Sequence, residues 1–185
     1  MNAVPPTSAS QIAALAGLLP DGGLLTEAAD LARYSRDWSG DHYGRPLAVA
    51  RPSSVEEVSA VMRFCHAERI PVVPQGGLTG LVGAAVAADG GEIVISLERM
   101  NRIRSISPID FAMVVEAGCI LEDAKRAAEE NDCLLPITFG AQGSCRIGGN
   151  VATNAGGFNV LRYGMCRSTS QNGMSPTSLA RSPGR

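Results

Sequence analysis

Pro74-Gln75-Gly76-Gly77-Leu78-Thr79-Gly80-Leu81-Val82-Gly83 is the stretch on which the reading of this chain turns. It follows Pro71-Val72-Val73 directly, a short apolar run that reads as a buried strand. Glycine inside folded structure is destabilising by roughly 0.5–1 kcal/mol relative to alanine. Gly76, Gly77, Gly80 and Gly83 together therefore imply either positive φ or an approach to the backbone too close for a Cβ. A string of N–H groups wrapped around an anion meets both conditions, and Thr79 adds a hydroxyl. A strained loop with no ligand explains one such cluster equally well.

Upstream, Leu47-Ala48-Val49-Ala50 reads as a strand stopped by Arg51-Pro52. Ser54 and Glu57 have the spacing of a capping box, and Val58, Val61, Met62 and Cys65 form one apolar face of a helix ending near residue 68. Strand, helix and strand make a β-α-β unit. A further helix is expected at 8–18, with Ile12, Leu15, Leu18 and Leu19 at helical spacing. Downstream, strands are expected at 93–97 and 112–116. A helix follows at 121–131, with Glu122, Asp123, Lys125 and Arg126 on its wet side. A second run of small residues then appears at Ile147-Gly148-Gly149-Asn150-Val151-Ala152-Thr153-Asn154-Ala155-Gly156-Gly157. Its backbone and short polar groups could lie against a flat ring system.

The chain of 185 residues is 45% hydrophobic, enough for a buried core, with 21 glycines and few aromatics. A formal charge of −2 argues against a general nucleic-acid binder. That charge is uneven: no Asp, Glu or Lys follows Asp132, so the last 53 residues carry only five arginines. An acid-free, glycine-rich zone suits a bound phosphate, and a chance run in a loop-rich segment fits as well. The five cysteines show no CxxC spacing and read as reduced, buried thiols. Met-Asn-Ala-Val-Pro-Pro-Thr has no signal-peptide pattern, and no apolar run reaches the roughly 20 residues that span a bilayer. The chain is read as soluble and cytoplasmic.

Neither GxGxxG nor GxxxxGK[ST] occurs, so a dinucleotide-binding Rossmann turn and an ordinary P-loop are unsupported. The first glycine stretch instead resembles the pyrophosphate loop of FAD-binding domains of the p-cresol methylhydroxylase (PCMH) and vanillyl-alcohol oxidase type. The second, with Arg162-Tyr163-Gly164 after it, is similar to their second flavin-contacting segment. Pro52-Ser53-Ser54-Val55-Glu56-Glu57-Val58 also matches, and the similarity runs from about residue 34 to 167. The nearest look-alikes are FAD-linked D-2-hydroxy acid dehydrogenases acting on D-lactate, glycolate or D-2-hydroxyglutarate.

The resemblance implies an α+β, PCMH-type FAD-binding fold of two α/β subdomains with FAD between them, the second subdomain incomplete. It assigns Pro74, Gln75, Gly76, Gly77, Leu78, Thr79 and Gly80 to the pyrophosphate. Gly140, Ser144, Gly148, Gly149, Asn150, Thr153, Asn154, Gly156 and Gly157 fall along the ribityl chain and isoalloxazine. The first loop holds no His for covalent attachment, so non-covalent FAD is implied, with a small 2-hydroxy acid as the substrate of the full-length family. His66 is read as structural, and Asp41-His42 is too sparse to define a metal or catalytic centre. No catalytic residue and no metal ligand is assigned.

The match falls away after Arg167. Eleven of the last 18 residues are Ser, Thr, Pro or Gly, too little apolar surface to offset an ordering entropy of roughly 1–2 kcal/mol per residue. The division expected is an N-terminal segment at 1–41, an FAD-binding domain at 42–167, and a disordered tail at 168–185. Such an ending is what an out-of-frame read of a longer relative would give, without the substrate-covering domain. A non-catalytic flavin or nucleotide-binding module and a non-functional truncated product stay open beside the FAD-dependent oxidoreductase.

Overall fold

The computed structural model describes residues 8–88, 90–170, 176–178 and 180–181. The chain divides into two units, 1–99 and 100–185.

In the first unit, Ser8 opens helix α1 (Ala9–Ala16) with a full capping box: its Oγ accepts from Gln11 N at 3.3 Å, and its own N–H donates to Gln11 Oε1 at 2.7 Å. After β1 (Leu24–Leu25) and the short α2 (Ala28–Leu31) come β2 (Ala48–Ala50), α3 (Val55–Ala67), β3 (Val72–Gln75) and β4 (Ile93–Ser96). The sheet order is β1-β2-β4-β3, with β4 parallel to both β2 and β3 and β1 antiparallel to β2. Strands buried on both faces need an unbroken apolar run, and Ala48-Val49-Ala50 and Ile93-Val94-Ile95 supply it.

The period of two along each strand sorts the side chains into two clusters. Ala48, Ala50, Ile93 and Ile95 pack with Leu15, Val61 and Cys65 from the helices. Val49, Val94 and the half-buried Val73 pack instead with Tyr34 and Ala87. Alternation then puts Gln75 on the Tyr34 side of the sheet. Pro74 falls within β3, which is the edge strand of this sheet, where a missing N–H is tolerated.

Helix α3 departs from expectation in two details. Ser54 Oγ accepts from Glu57 N at 3.1 Å, but the Glu57 carboxylate reaches Ser53 N, at 2.7 Å, rather than the cap residue's own N–H. Met62 is exposed, and Phe64 packs beside Val61 and Cys65 in its place, because the buried stripe follows i, i+3, i+4 from Val61.

In the second unit, β5 (Ile103–Ser107) and β6 (Ala112–Val115) form an antiparallel hairpin with an irregularity between Ile103 and Ser105. Helix α4 (Leu121–Glu129) buries Leu121, Ala124 and Ala128. Lys125, expected on its wet side, is half-buried, because Thr138 Oγ1 at 2.9 Å and Gln142 Oε1 at 3.0 Å accept from its Nζ. Then follow β7 (Cys133–Leu134), α5 (Ile147–Ala152), α6 (Val160–Tyr163), β8 (Pro176–Ser178) and β9 (Ala180–Arg181). One core cluster gathers Met113, Leu121, Leu135, Ile147 and four of the cysteines, Cys119, Cys133, Cys145 and Cys166.

The stretch read from sequence as a disordered tail contains both β8, antiparallel to β6, and β9, antiparallel to β7. Ladder bonds are made by backbone, so Pro-Thr-Ser and Ala-Arg can complete a sheet edge without apolar side chains. Residues 171–175, 179 and 182–185 lie outside the described residues.

Candidate functional site

At the C-terminal end of β3 the chain passes into the first glycine loop. Gln75 is only 2% exposed, and its Nε2 donates to the carbonyls of Tyr34 (3.0 Å) and Ala85 (2.8 Å). Its side chain thereby ties the beginning of the loop both to an earlier segment and to the residues that follow the loop. The backbone N–H groups of residues 76–82 meet no protein acceptor among the described residues. Leu78 has φ +55°, and a Cβ built on Gly80 would meet nothing within 4 Å. Unspent donors, one left-handed residue and open space at Gly80 are what an anion-binding loop requires.

The loop closes at Gly83, whose φ is +70° and whose missing Cβ would lie 2.7 Å from His42 Cγ. Its N–H donates to Asp37 Oδ2 at 3.2 Å. The Ser39 hydroxyl, donating to Oδ1 at 2.7 Å, is the main influence holding the Asp37 carboxyl below the usual range; burial opposes it, and the N–H groups of Gly83 and Gly40 add to it. Tyr34 is buried and its hydroxyl donates to Glu98 Oε1 at 2.6 Å, where Arg33 NH2 and Arg51 Nε also converge at 2.8 Å each.

The second glycine cluster is engaged differently. Gly148 N donates to Ala117 O at 2.8 Å, and Thr153 Oγ1 to Gly149 O at 2.9 Å. Asn150 is buried with Nδ2 on Cys145 Sγ at 3.4 Å. Asn154 Oδ1 accepts from Arg167 N at 3.0 Å, while the Arg167 side chain donates to the carbonyls of Val151 (2.9 Å) and Ala152 and so closes the C-terminal end of α5. Gly156 packs on Val160. Gly157, at φ +117°, lies so close to Thr138 that a Cβ would stand 2.2 Å from its carbonyl oxygen. Gly140 and Gly149 alone face open space, and the Ser144 hydroxyl reaches only Ala141 O, at 3.5 Å.

Pro74 through Gly80 are therefore contiguous in the first unit, and the residues from Gly140 to Gly157 belong to the second. Asp37 and Arg167 act on these two loops and were not among the sequence-derived site residues. The only signal for Asp37 was a buried carboxylate in a polar stretch, and burial is invisible in sequence. Among the described residues no group of three or more His, Cys, Asp or Glu side chains is placed to hold an ion. All five cysteines are free and buried, and burial pushes the Cys119 thiol up to about 11. Among the described residues no helix is long and apolar enough to cross a membrane.

A loop whose amides meet no acceptor among the described residues, set directly after a parallel strand, has the form of an anion-binding turn. Residues 46–172 match the FAD binding domain family, and the chain belongs to it, with FAD as the cofactor of such a domain. The chain is 50% identical over 157 residues to a D-2-hydroxyglutarate dehydrogenase of Xanthomonas citri pv. viticola, covering 85% of this chain and 33% of that protein. It thus spans about a third of the length of the curated relatives it matches. Its fold superposes on an alkyldihydroxyacetonephosphate synthase with a TM-score of 0.81 at 18% identity, over 98% of this chain and 36% of that one. With p-cresol methylhydroxylase the TM-score is 0.67 at 23% identity, over 82% and 31%. The fold is the PCMH type expected from sequence.

Proposed function

We propose that these 185 residues are the FAD-binding share of an FAD-dependent oxidoreductase that oxidises a D-2-hydroxy acid. Half-identity to a D-2-hydroxyglutarate dehydrogenase supports D-2-hydroxyglutarate as the acid to try first. The single observation that carries the reading is the loop at 76–82, whose N–H groups have no protein acceptor among the described residues and so can receive a pyrophosphate. In this reading Gln75, Gly76, Gly77, Leu78, Thr79 and Gly80 hold the pyrophosphate, with Pro74 leading into them. Gly140, Ser144 and residues 148–157 supply backbone and short polar groups to the ribityl chain and ring.

When bound, FAD supplies the two-electron acceptor for oxidation of the carbon bearing the hydroxyl. The chain's own residues bind and orient that group; none is proposed to move the substrate proton. Binding is non-covalent in this proposal, since the only histidines are His42 and His66. Five buried, unpaired thiols favour a reducing compartment, the cytoplasm in our reading.

The test is to incubate the purified chain with FAD, pass it through gel filtration, and precipitate the protein with acid. Co-elution of flavin that acid releases into the supernatant is the expected outcome. Absence of flavin from the protein peak overturns the cofactor reading, and flavin remaining in the pellet overturns non-covalent binding. For the substrate, the longer relatives' arrangement has to be restored; anaerobic D-2-hydroxyglutarate should then bleach the flavin absorbance, and no bleaching rejects that acid.

A further inference from the structure

Residues 34–44 form a closed strap. Gly44 N donates to Ser35 O at 2.7 Å, Asp37 N to His42 O at 3.3 Å, and Arg36 bridges Tyr43. This strap touches the first glycine loop at both ends. Tyr34 O receives Gln75, where the loop begins, and Asp37 Oδ2 receives Gly83, where it ends. His42 fills the space a Cβ on Gly83 would need, and Gly44 fits so tightly against Ala87 that a Cβ there would stand 1.8 Å from its carbonyl oxygen. Between the two anchors the loop amides make no protein hydrogen bond among the described residues, so their direction is set by the ends.

Asp37 is 5% exposed, and its two oxygens divide the work. Oδ1 takes Ser39 Oγ and Gly40 N inside the strap, leaving Oδ2 for the loop. A carboxylate accepts at both oxygens, whereas an Asn side chain would turn either a donor toward Gly83 N–H or a donor toward the strap.

We propose that Asp37 is a positioning residue for the 76–83 loop, holding its amides in the arrangement that receives a pyrophosphate. The inference rests on the FAD reading above and adds a residue outside the loop to it. Asp37 touches no cofactor; it acts through Gly83.

Three probes separate the inference from the reading beneath it: FAD, riboflavin (which lacks the pyrophosphate) and inorganic pyrophosphate. Each is titrated into the wild-type chain, Asp37→Asn and Ser39→Ala, with flavin binding followed by equilibrium dialysis and pyrophosphate by backbone amide NMR shifts at 76–82. Thermal melts monitor folding. The expected result is at least a tenfold weaker FAD and pyrophosphate affinity in Asp37→Asn, with riboflavin affinity within twofold of wild type. Ser39→Ala, which removes one of the two donors on Oδ1 but spares the Gly40 and Gly83 contacts, should weaken FAD about threefold and leave the melt unchanged. Equal loss of FAD and riboflavin, or unchanged FAD in both variants, overturns the positioning role. If Asp37→Asn does not fold, Ser39→Ala decides by the same FAD-to-riboflavin comparison. If wild type binds pyrophosphate but not FAD, the cofactor reading falls and a pyrophosphate loss in the variants keeps the positioning role. If it binds neither, both fall.

Discussion

The two glycine clusters look alike in sequence and are built in opposite ways. In the first, the amides of residues 76–82 meet no protein acceptor among the described residues, and order is imposed by Gln75 at one end and Asp37 at the other. In the second, Gly148, Gly156 and Gly157 pack closely, Gly157 under the Thr138 carbonyl, while Gly149 faces open space, and Asn150, Thr153 and Asn154 each already bond to protein. Glycine density alone therefore does not say where a ligand's contacts fall. What distinguishes the clusters is whether the backbone donors are already used.

The sharpest way to break this contrast is Gly157→Ala. A Cβ 2.2 Å from a backbone oxygen, at φ +117°, should cost roughly 2–4 kcal/mol of stability in chemical denaturation. A loss below about 0.5 kcal/mol would mean that the second turn is as open as the first.

An intermediate effect is expected from acid. Glu116 is buried, and the Arg102 side chain, then its backbone N–H and Arg104, draws its carboxyl down to about 2 against the opposing effect of burial. A depressed carboxylate stabilises above its unfolded value near 4.5, and that contribution disappears as pH falls from there toward 2. Acid titration followed by circular dichroism should show this loss in the wild-type chain. Glu116→Gln should flatten it and lower stability at pH 7 by about 1–2 kcal/mol, discounted for the exposure of both arginines.

The smallest expected effect is that of Gly80→Ala on the apo chain, within about 0.5 kcal/mol, because no atom lies within 4 Å of the new Cβ. Any loss from this change should appear in FAD affinity instead, measured by the same dialysis. A large drop in apo stability would show that the first loop is packed after all.

Much of this was legible in the sequence. Unbroken apolar runs at 48–50 and 93–95 mark buried strands because both faces of a parallel sheet are covered, and Ser54 before Glu57 marks the start of α3. The glycine loop after β3 was visible from its glycines following an apolar strand. Asp37 was not, because its significance comes from a contact with Gly83 that spans 46 positions, and no local pattern encodes such a partner. Met62 misled because it satisfies helical spacing as well as Phe64 does, and only the third dimension chooses between them. The strands at 176–178 and 180–181 were missed because their pairing depends on backbone donors rather than on hydrophobic side chains.

Pro74 bears on a different matter, self-association. A terminal parallel strand such as β3 offers a row of donors and acceptors to any passing extended chain, and that is how sheets recruit one another into aggregates. Proline removes one donor in the middle of Val72–Gln75 and stiffens the strand as it enters the glycine loop. The residue that introduces the loop is thus also a guard on the sheet's flank, and a Pro74→Val chain should be the more prone of the two to form intermolecular β-structure on storage.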